Sequence, residues 1–159
     1  MEYTIREAKT EDMAQVLQLI KELASFEKEP GAVEVTTDDL IKDGFGDEKL
    51  FHCFVAESEN LVVGAALVYP RYSTWKGPVV HLEDLIVSEK MRGSGLGSAL
   101  LTEVVKYASQ LGVKRISWEV LDWNEPAIDF YQKKGARVMR DWDVVQLDEK
   151  GIKVFLENA

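Results

Sequence analysis

The apolar run Val79 to Val87 leads into Arg92-Gly93-Ser94-Gly95-Leu96-Gly97-Ser98, and a helical pattern follows at once, with Leu96, Leu100, Val104, Ala108 and Leu111 at intervals of three and four. A strand, a glycine-rich turn and a helix in that order constrain the chain strongly. If Lys114 to Val120 is the next strand, it must cross back and lie parallel to the first. The turn itself is an anion site, because glycines let the backbone approach a phosphate closely and a helix start presents unpaired N–H groups. Gly95 and Gly112 bound the helix.

Around this unit the pattern is mixed. Tyr3 to Glu7 alternates as a strand, and Thr10 caps a helix whose apolar face is Val16, Leu19, Ile20 and Leu23. Thr37 starts a second helix through Leu40 and Ile41 that Gly44 stops. Phe51 to Glu57 and Leu61 to Tyr69 are strands of a hairpin turning at Ser58-Glu59-Asn60, and Pro70 to Pro78 reads as a loop before the strand Val79 to Val87. Asn124 caps a helix ending at Gly135, with Glu125 and Pro126 in its first turn. Val144 to Leu147 and Ile152 to Leu156 read as a closing hairpin around Asp148-Glu149-Lys150-Gly151. The expected fold class is α/β, with about four helices on a mostly antiparallel sheet that carries one parallel pair.

With 159 residues, 46% of them hydrophobic, the chain is expected to form a single domain spanning 1–159. A net charge of −9 disfavours nucleic acid as a partner and suits a cationic substrate. Cys53 is the lone cysteine, so neither a disulfide nor a cysteine-rich zinc site is expected, and no other metal-ligand cluster of recognisable spacing is present. No apolar run approaches the ~20 residues that span a bilayer, so the expectation is a cytoplasmic protein with no membrane partner.

The glycine spacing distinguishes among phosphate folds. Gly93, Gly95 and Gly97 do not make the G-x-G-x-x-G of a dinucleotide fold, and Gly97 is followed by Ser98 and Ala99 instead of the lysine of a Walker loop. Arg92, Gly95 and Gly97 do form R-x-x-G-x-G between a strand and a helix. Here the chain resembles the GNAT superfamily of acetyl-coenzyme A-dependent N-acetyltransferases. Further segments are similar to the diamine N-acetyltransferases, of spermidine/spermine type, and to their thialysine-acetylating relatives: Leu19-Ile20-Lys21-Glu22-Leu23-Ala24, Asp43-Gly44-Phe45-Gly46, Leu82-Glu83-Asp84, and Trp123-Asn124-Glu125-Pro126 with Phe130-Tyr131. Phe26-Glu27-Lys28, Ser73-Thr74-Trp75-Lys76-Gly77 and Val120-Leu121-Asp122-Trp123-Asn124 look more like the thialysine branch. The resemblance runs from Tyr3 to about Trp142.

It implies the GNAT fold, with the parallel strand pair at an acetyl-CoA cleft, and direct transfer of acetyl to a small primary amine in a ternary complex. Acetylating an amine requires its neutral form, and a lysine-like ammonium lies ~3.4 pKa units above pH 7, a cost of roughly 4.6 kcal/mol. By resemblance Glu83 is the amine-binding carboxylate and candidate base, directly or through water, while Tyr131 is the general acid that protonates the departing thiolate. Strand alternation places Glu83 and Asp84 on opposite faces, leaving only one of them for the cleft. The pyrophosphate is assigned to Arg92, Gly93, Ser94, Gly95, Leu96, Gly97 and Ser98, and pantetheine to the backbone of Leu85, Ile86 and Val87. Asn124 and Lys134 fall near the cofactor, Phe26 and Glu27 at the amine end, and a homodimer is implied.

Each residue also has an ordinary structural reading: Glu83 as a solvated strand carboxylate, Tyr131 as a core tyrosine, Asn124 as a helix cap, and Lys134 as a favourable charge at a helix C-terminus. Phe26 lacks the hydroxyl of the tyrosine found in the polyamine enzymes, which weakens a polyamine assignment and leaves a substrate with one amine and a carboxylate as an alternative. A nucleophile and base drawn from His52, His81 and Cys53 is disfavoured, because His52 and Cys53 are neighbours on opposite strand faces. Acetylation of protein lysines or N-termini, and a non-catalytic acyl-CoA-binding module, are the competing functions.

Overall fold

The computed structural model describes residues 2–159. The chain forms two compact units, one ending at Glu119 and the other running from Val120 to Ala159.

The first unit is built on a sheet in the order β1-β2-β3-β4-β5, comprising β1 Thr4–Glu7, β2 His52–Ser58, β3 Leu61–Ser73, β4 Gly77–Val87 and β5 Ile116–Ser117. The pairs are antiparallel until β4 and β5, which run parallel through Val80↔Ile116 and His81↔Ser117. The crossover between them is helix α3, Leu96–Leu111, and both of its glycine ends adopt the left-handed conformation, Gly95 at φ 85° and Gly112 at φ 73°. The expected strand-turn-helix-strand unit is therefore present.

Helix α1, Met13–Phe26, covers one face of the sheet, packing Met13, Val16 and Leu19 with Cys53, Val55, Ala65 and Ile86. Helix α2, Thr37–Phe45, adds Leu40 to this cluster. Of the alternate residues, His52 stacks on Tyr107 of α3 and Phe54 meets the same ring edge-on, which places α3 on the other face. Gly64 makes that approach possible: a Cβ there would lie 3.0 Å from Leu100 Cδ1 and 3.1 Å from the Ile86 carbonyl oxygen.

Several sequence expectations need correction. Thr10 is not a cap; residues Thr10–Asp12 form a 3-10 turn, closed where Lys9 N–H donates to Asp12 Oδ2 at 2.7 Å. Gly44 does not stop α2 but lies buried inside it, where a Cβ would collide with the Phe51 ring; Gly46 is the C-cap. The loop expected from Pro70 to Pro78 shrinks to residues 74–76. Pro70 is tolerated within β3 because pairing with β2 ends at His52↔Val68, so beyond it β3 is an edge with no ladder bond to lose on that side. The strand expected over Lys114 to Val120 is reduced to β5.

The second unit holds α4, Glu125–Lys133, and α5, Glu149–Glu157. The expected closing hairpin is absent: Asp148 is an N-cap whose side chain accepts from Gly151 N–H at 2.7 Å, and Ile152, Phe155 and Leu156 follow at helical spacing. With α5 there are five α-helices among the described residues, where about four were expected.

Candidate active site

The glycine loop opens directly off β4. Met91 is buried and anchors it, accepting at its carbonyl from both the backbone N–H and the hydroxyl of Ser94. Gly93 has φ 78° and Gly95 φ 85°, a conformation that disfavours any side chain, and nothing lies within 4 Å of where a Cβ would stand on either. Gly95 contributes no side-chain cap to α3. Arg92 is exposed at the loop entrance, its guanidinium carbon 5.3 Å from the centre of the Phe26 ring. An open, cationic cradle at a helix start fits a pyrophosphate. The β4–β5 ladder spans only Val80 and His81, so it stops short of Leu85, Ile86 and Val87, the backbone expected to pair with pantetheine amides.

A bulge reorganises the acidic residues of β4. Leu67 pairs with Asp84 but Val68 pairs with Leu82, so Glu83 has no partner in β3. That extra residue removes the strict alternation on which the opposite-face expectation rested. Glu83 is half exposed, with Oε2 3.7 Å from His81 Nε2, and burial first, then the charge of Glu83, push the Tyr69 hydroxyl's pKa up. The Glu83 charge also reaches Asp84. Burial first, and then the charges of Glu83 and Glu27, push the Asp84 carboxyl up to about 6. Glu27, the C-cap residue of α1, is itself raised by burial. Asp84 thus feels the charges of two further carboxylates, Glu83 on its own strand and Glu27 at the end of α1.

Strand and helix geometry leave no nucleophile among His52 and Cys53. Cys53 is 4% exposed in the α1 core, and burial, followed by Asp12 and Asp84, pushes its thiol up to about 12. His52 stacks parallel on Tyr107 at 4.8 Å with Nε2 3.3 Å from Glu7 Oε1.

In the second unit, Asn124 caps α4 as expected, accepting at Oδ1 from Ala127 N–H at 3.4 Å. Tyr131 is partly buried on α4 beside Phe130, with ring centres 5.4 Å apart. Lys134 is the C-cap residue and places Nζ 5.8 Å from the Phe130 ring centre.

Two groups escaped the sequence reading. Asp84 was set aside by alternation, which a bulge defeats and periodicity does not reveal. Tyr69 joins the site only through its pairing with His81, at 5.2 Å between ring centres.

The model of the acetyltransferase (GNAT) family matches residues 13–136. The chain is 41% identical over 141 residues to a thialysine N-epsilon-acetyltransferase of Bos taurus, covering 84% of this chain and 83% of that one. It is 38% identical to a human spermidine/spermine N(1)-acetyltransferase-like protein 1, across 84% of this chain and 20% of that longer protein. Among solved structures, an aminoglycoside N-acetyltransferase in complex with CoA superposes with a TM-score of 0.73 at 19% identity, covering 91% of this chain and 94% of that one. An α/β sheet with one parallel pair, a glycine cradle at the start of the crossover helix and this extent of match have one reading: the chain is an N-acetyltransferase belonging to the acetyltransferase (GNAT) family.

Proposed function

We propose that the protein transfers acetyl from acetyl-CoA to the primary amine of a small thialysine-like or diamine substrate, by direct attack in a ternary complex. The observation that carries this reading is the convergence of Glu27 and Glu83 on a partly buried Asp84, whose carboxyl is pushed up to about 6. A cluster held at such cost is built to receive a cation. The high identity to a thialysine enzyme and the phenylalanine at position 26 favour the thialysine-like substrate.

Acetyl-CoA supplies an activated thioester, and the residues divide the remaining work. Arg92 and the backbone from Gly93 to Ser98 hold the pyrophosphate, and the family resemblance assigns Lys134 to the cofactor's phosphates. The backbone of Leu85, Ile86 and Val87 aligns the pantetheine arm, and the family resemblance assigns Asn124 to the cofactor as well. Glu27 and Glu83 bind the ammonium at the Phe26 end. Glu83 takes its proton, directly or through one water, to give the neutral amine that attacks the thioester. Tyr131 donates to the departing thiolate. Both units serve one acetyltransferase domain, a reading supported by the family match running across Glu119.

The working form is proposed to be a cytoplasmic homodimer. Trp142, Val145 and Phe155, exposed by 67%, 91% and 64%, support an interface on the second unit, and the lone buried Cys53 suits a reducing compartment. No helix among the described residues is long and apolar enough to cross a membrane.

The test is a thiol-release screen with acetyl-CoA against thialysine, lysine, ornithine, putrescine, spermidine, and lysine-bearing and free N-terminal peptides. Turnover is expected to be fastest with thialysine or a diamine. Turnover confined to peptides would overturn the substrate class, and CoA binding without release from any amine would overturn the activity. Glu83→Gln and Tyr131→Phe are each expected to slow transfer by about a hundredfold while leaving acetyl-CoA affinity intact.

A further inference from the structure

His81 is 5% exposed, yet both of its ring nitrogens face polar groups. Nδ1 lies 2.9 Å from Ser117 Oγ on β5 and 3.4 Å from an Arg71 guanidinium nitrogen on β3, while Nε2 lies 3.7 Å from Glu83 Oε2. A guanidinium has only donors, so Nδ1 must be the accepting nitrogen, and the Ser117 hydroxyl donates to it as well. The ring proton then sits on Nε2, directed at Glu83.

We propose that His81 is a positioning residue: Arg71 and Ser117 select its Nε2–H tautomer, and that N–H orients the Glu83 carboxylate toward the amine. This rests on the role proposed above for Glu83. The need for such a device follows from the bulge. Glu83 has no cross-strand partner and its side chain is 52% exposed, so without donors on the strand it would sample several rotamers. The 3.7 Å separation leaves room for the bond to tighten by a small rotation when substrate arrives.

A neutral His81 also leaves the charge of Glu83 uncompensated. A protonated His81 would neutralise the carboxylate that must attract an ammonium. The groups facing His81 are Glu83 on its own strand, Tyr69 and Arg71 on β3, and Ser117 and Glu119 at and beyond β5. Burial first, and Arg71 after it, lower the His81 pKa, against the upward pull of Glu83 and Glu119. The imidazole therefore stays neutral at the pH where the carboxylate works.

The proposal is tested in two ways. Nitrogen-15 NMR of the intact protein at pH 7 is expected to show His81 with an unprotonated Nδ1 and a protonated Nε2; the opposite tautomer, or a doubly protonated ring, would overturn it. In thiol-release kinetics with thialysine, His81→Phe is expected to lower kcat/KM about tenfold with the acetyl-CoA KM unchanged, and His81→Gln, which restores an N–H donor, to recover most of the loss. In a Glu83→Gln background His81→Phe is expected to add no further loss. An equal loss in that background, or a glutamine variant no better than phenylalanine, would overturn the positioning role while leaving Glu83 in place. An unchanged rate in Glu83→Gln alone would instead remove the role of Glu83, and the proposal with it. Arg71→Met is expected to shift the acid limb of the pH profile upward, since it frees Nδ1 to take a proton; an unmoved limb contradicts the tautomer selection.

Discussion

Asp12 and Asp84 are both aspartates drawn into the first unit, and their surroundings are electrostatic opposites. Asp12, 6% exposed, accepts two bonds from Arg6, at 2.7 and 3.0 Å, and a third from Lys9 N–H. Arg6 also holds Glu57, so β1, β2 and the entrance to α1 are tied by one guanidinium. The Arg6 side chain depresses the Asp12 carboxyl, and the ion pair serves the fold. Around Asp84 burial first, and then the charges of Glu83 and Glu27, raise the carboxyl. The first cluster is complete in the protein alone; in the proposed function the second is completed by the substrate's ammonium. A buried carboxylate by itself is therefore no guide to function; the sign of what surrounds it is.

Removing the acid separates the two regions most sharply. Asp12→Ala should cost about 3 kcal/mol, because it removes the acceptor of three hydrogen bonds, two of them from a charged guanidinium, and opens a helix entrance. Urea unfolding at pH 7 checks this, and a loss under 1 kcal/mol would make the pair a surface contact. The pH dependence has a definite sign. With a depressed folded pKa, the Asp12 contribution is present above the unfolded pKa of about 3.9 and is lost as pH falls through the folded value.

Asp84 should behave the other way. Its folded pKa of about 6 lies above the unfolded value, so its contribution is present below about pH 3.9 and is lost as pH rises through 6. Asp84→Asn is accordingly expected to stabilise the protein at pH 8 by about 2 kcal/mol, with the gain shrinking toward pH 4, while raising the KM for the amine. Thermal melts across that range read the stability change. A variant less stable than the parent at pH 8 would mean that Asp84, like Asp12, is a structural acid.

The smallest effect expected is at Phe26, whose ring lies against Arg92 and so connects the amine end to the glycine loop. Phe26→Ala should raise the KM for acetyl-CoA about threefold, the worth of one exposed cation–π contact. If only the amine KM changes, Phe26 acts on the acceptor alone.

The contrast also marks what was legible in the residues. Glycines at 95 and 112, the Asn124 cap and the parallel crossover were readable because each is a local conformational demand with a residue type that meets it. Asp148 to Gly151 misled because the same four residues suit a turn and a helix N-terminus, and the spacing of Ile152 and Phe155 decides between them. Pro70 looked like a strand end, since its tolerance depends on where a neighbouring strand stops. At the site, Glu83 and the loop carry a motif, whereas the involvement of Asp84 and Tyr69 follows from a one-residue register shift between β3 and β4. His81 and Arg71 are brought together by that pairing across the sheet, which no spacing along the chain encodes.

The Glu27, Glu83 and Asp84 cluster is proposed as the receptor for the substrate ammonium. Carbon-13 NMR of the Asp84 carboxyl, titrated with and without saturating thialysine, tests it most directly. The account predicts a midpoint near 6 in the free protein that moves down by a unit or more when the amine binds. A midpoint unmoved by bound thialysine, or one already near 3.9 in the free protein, would contradict it.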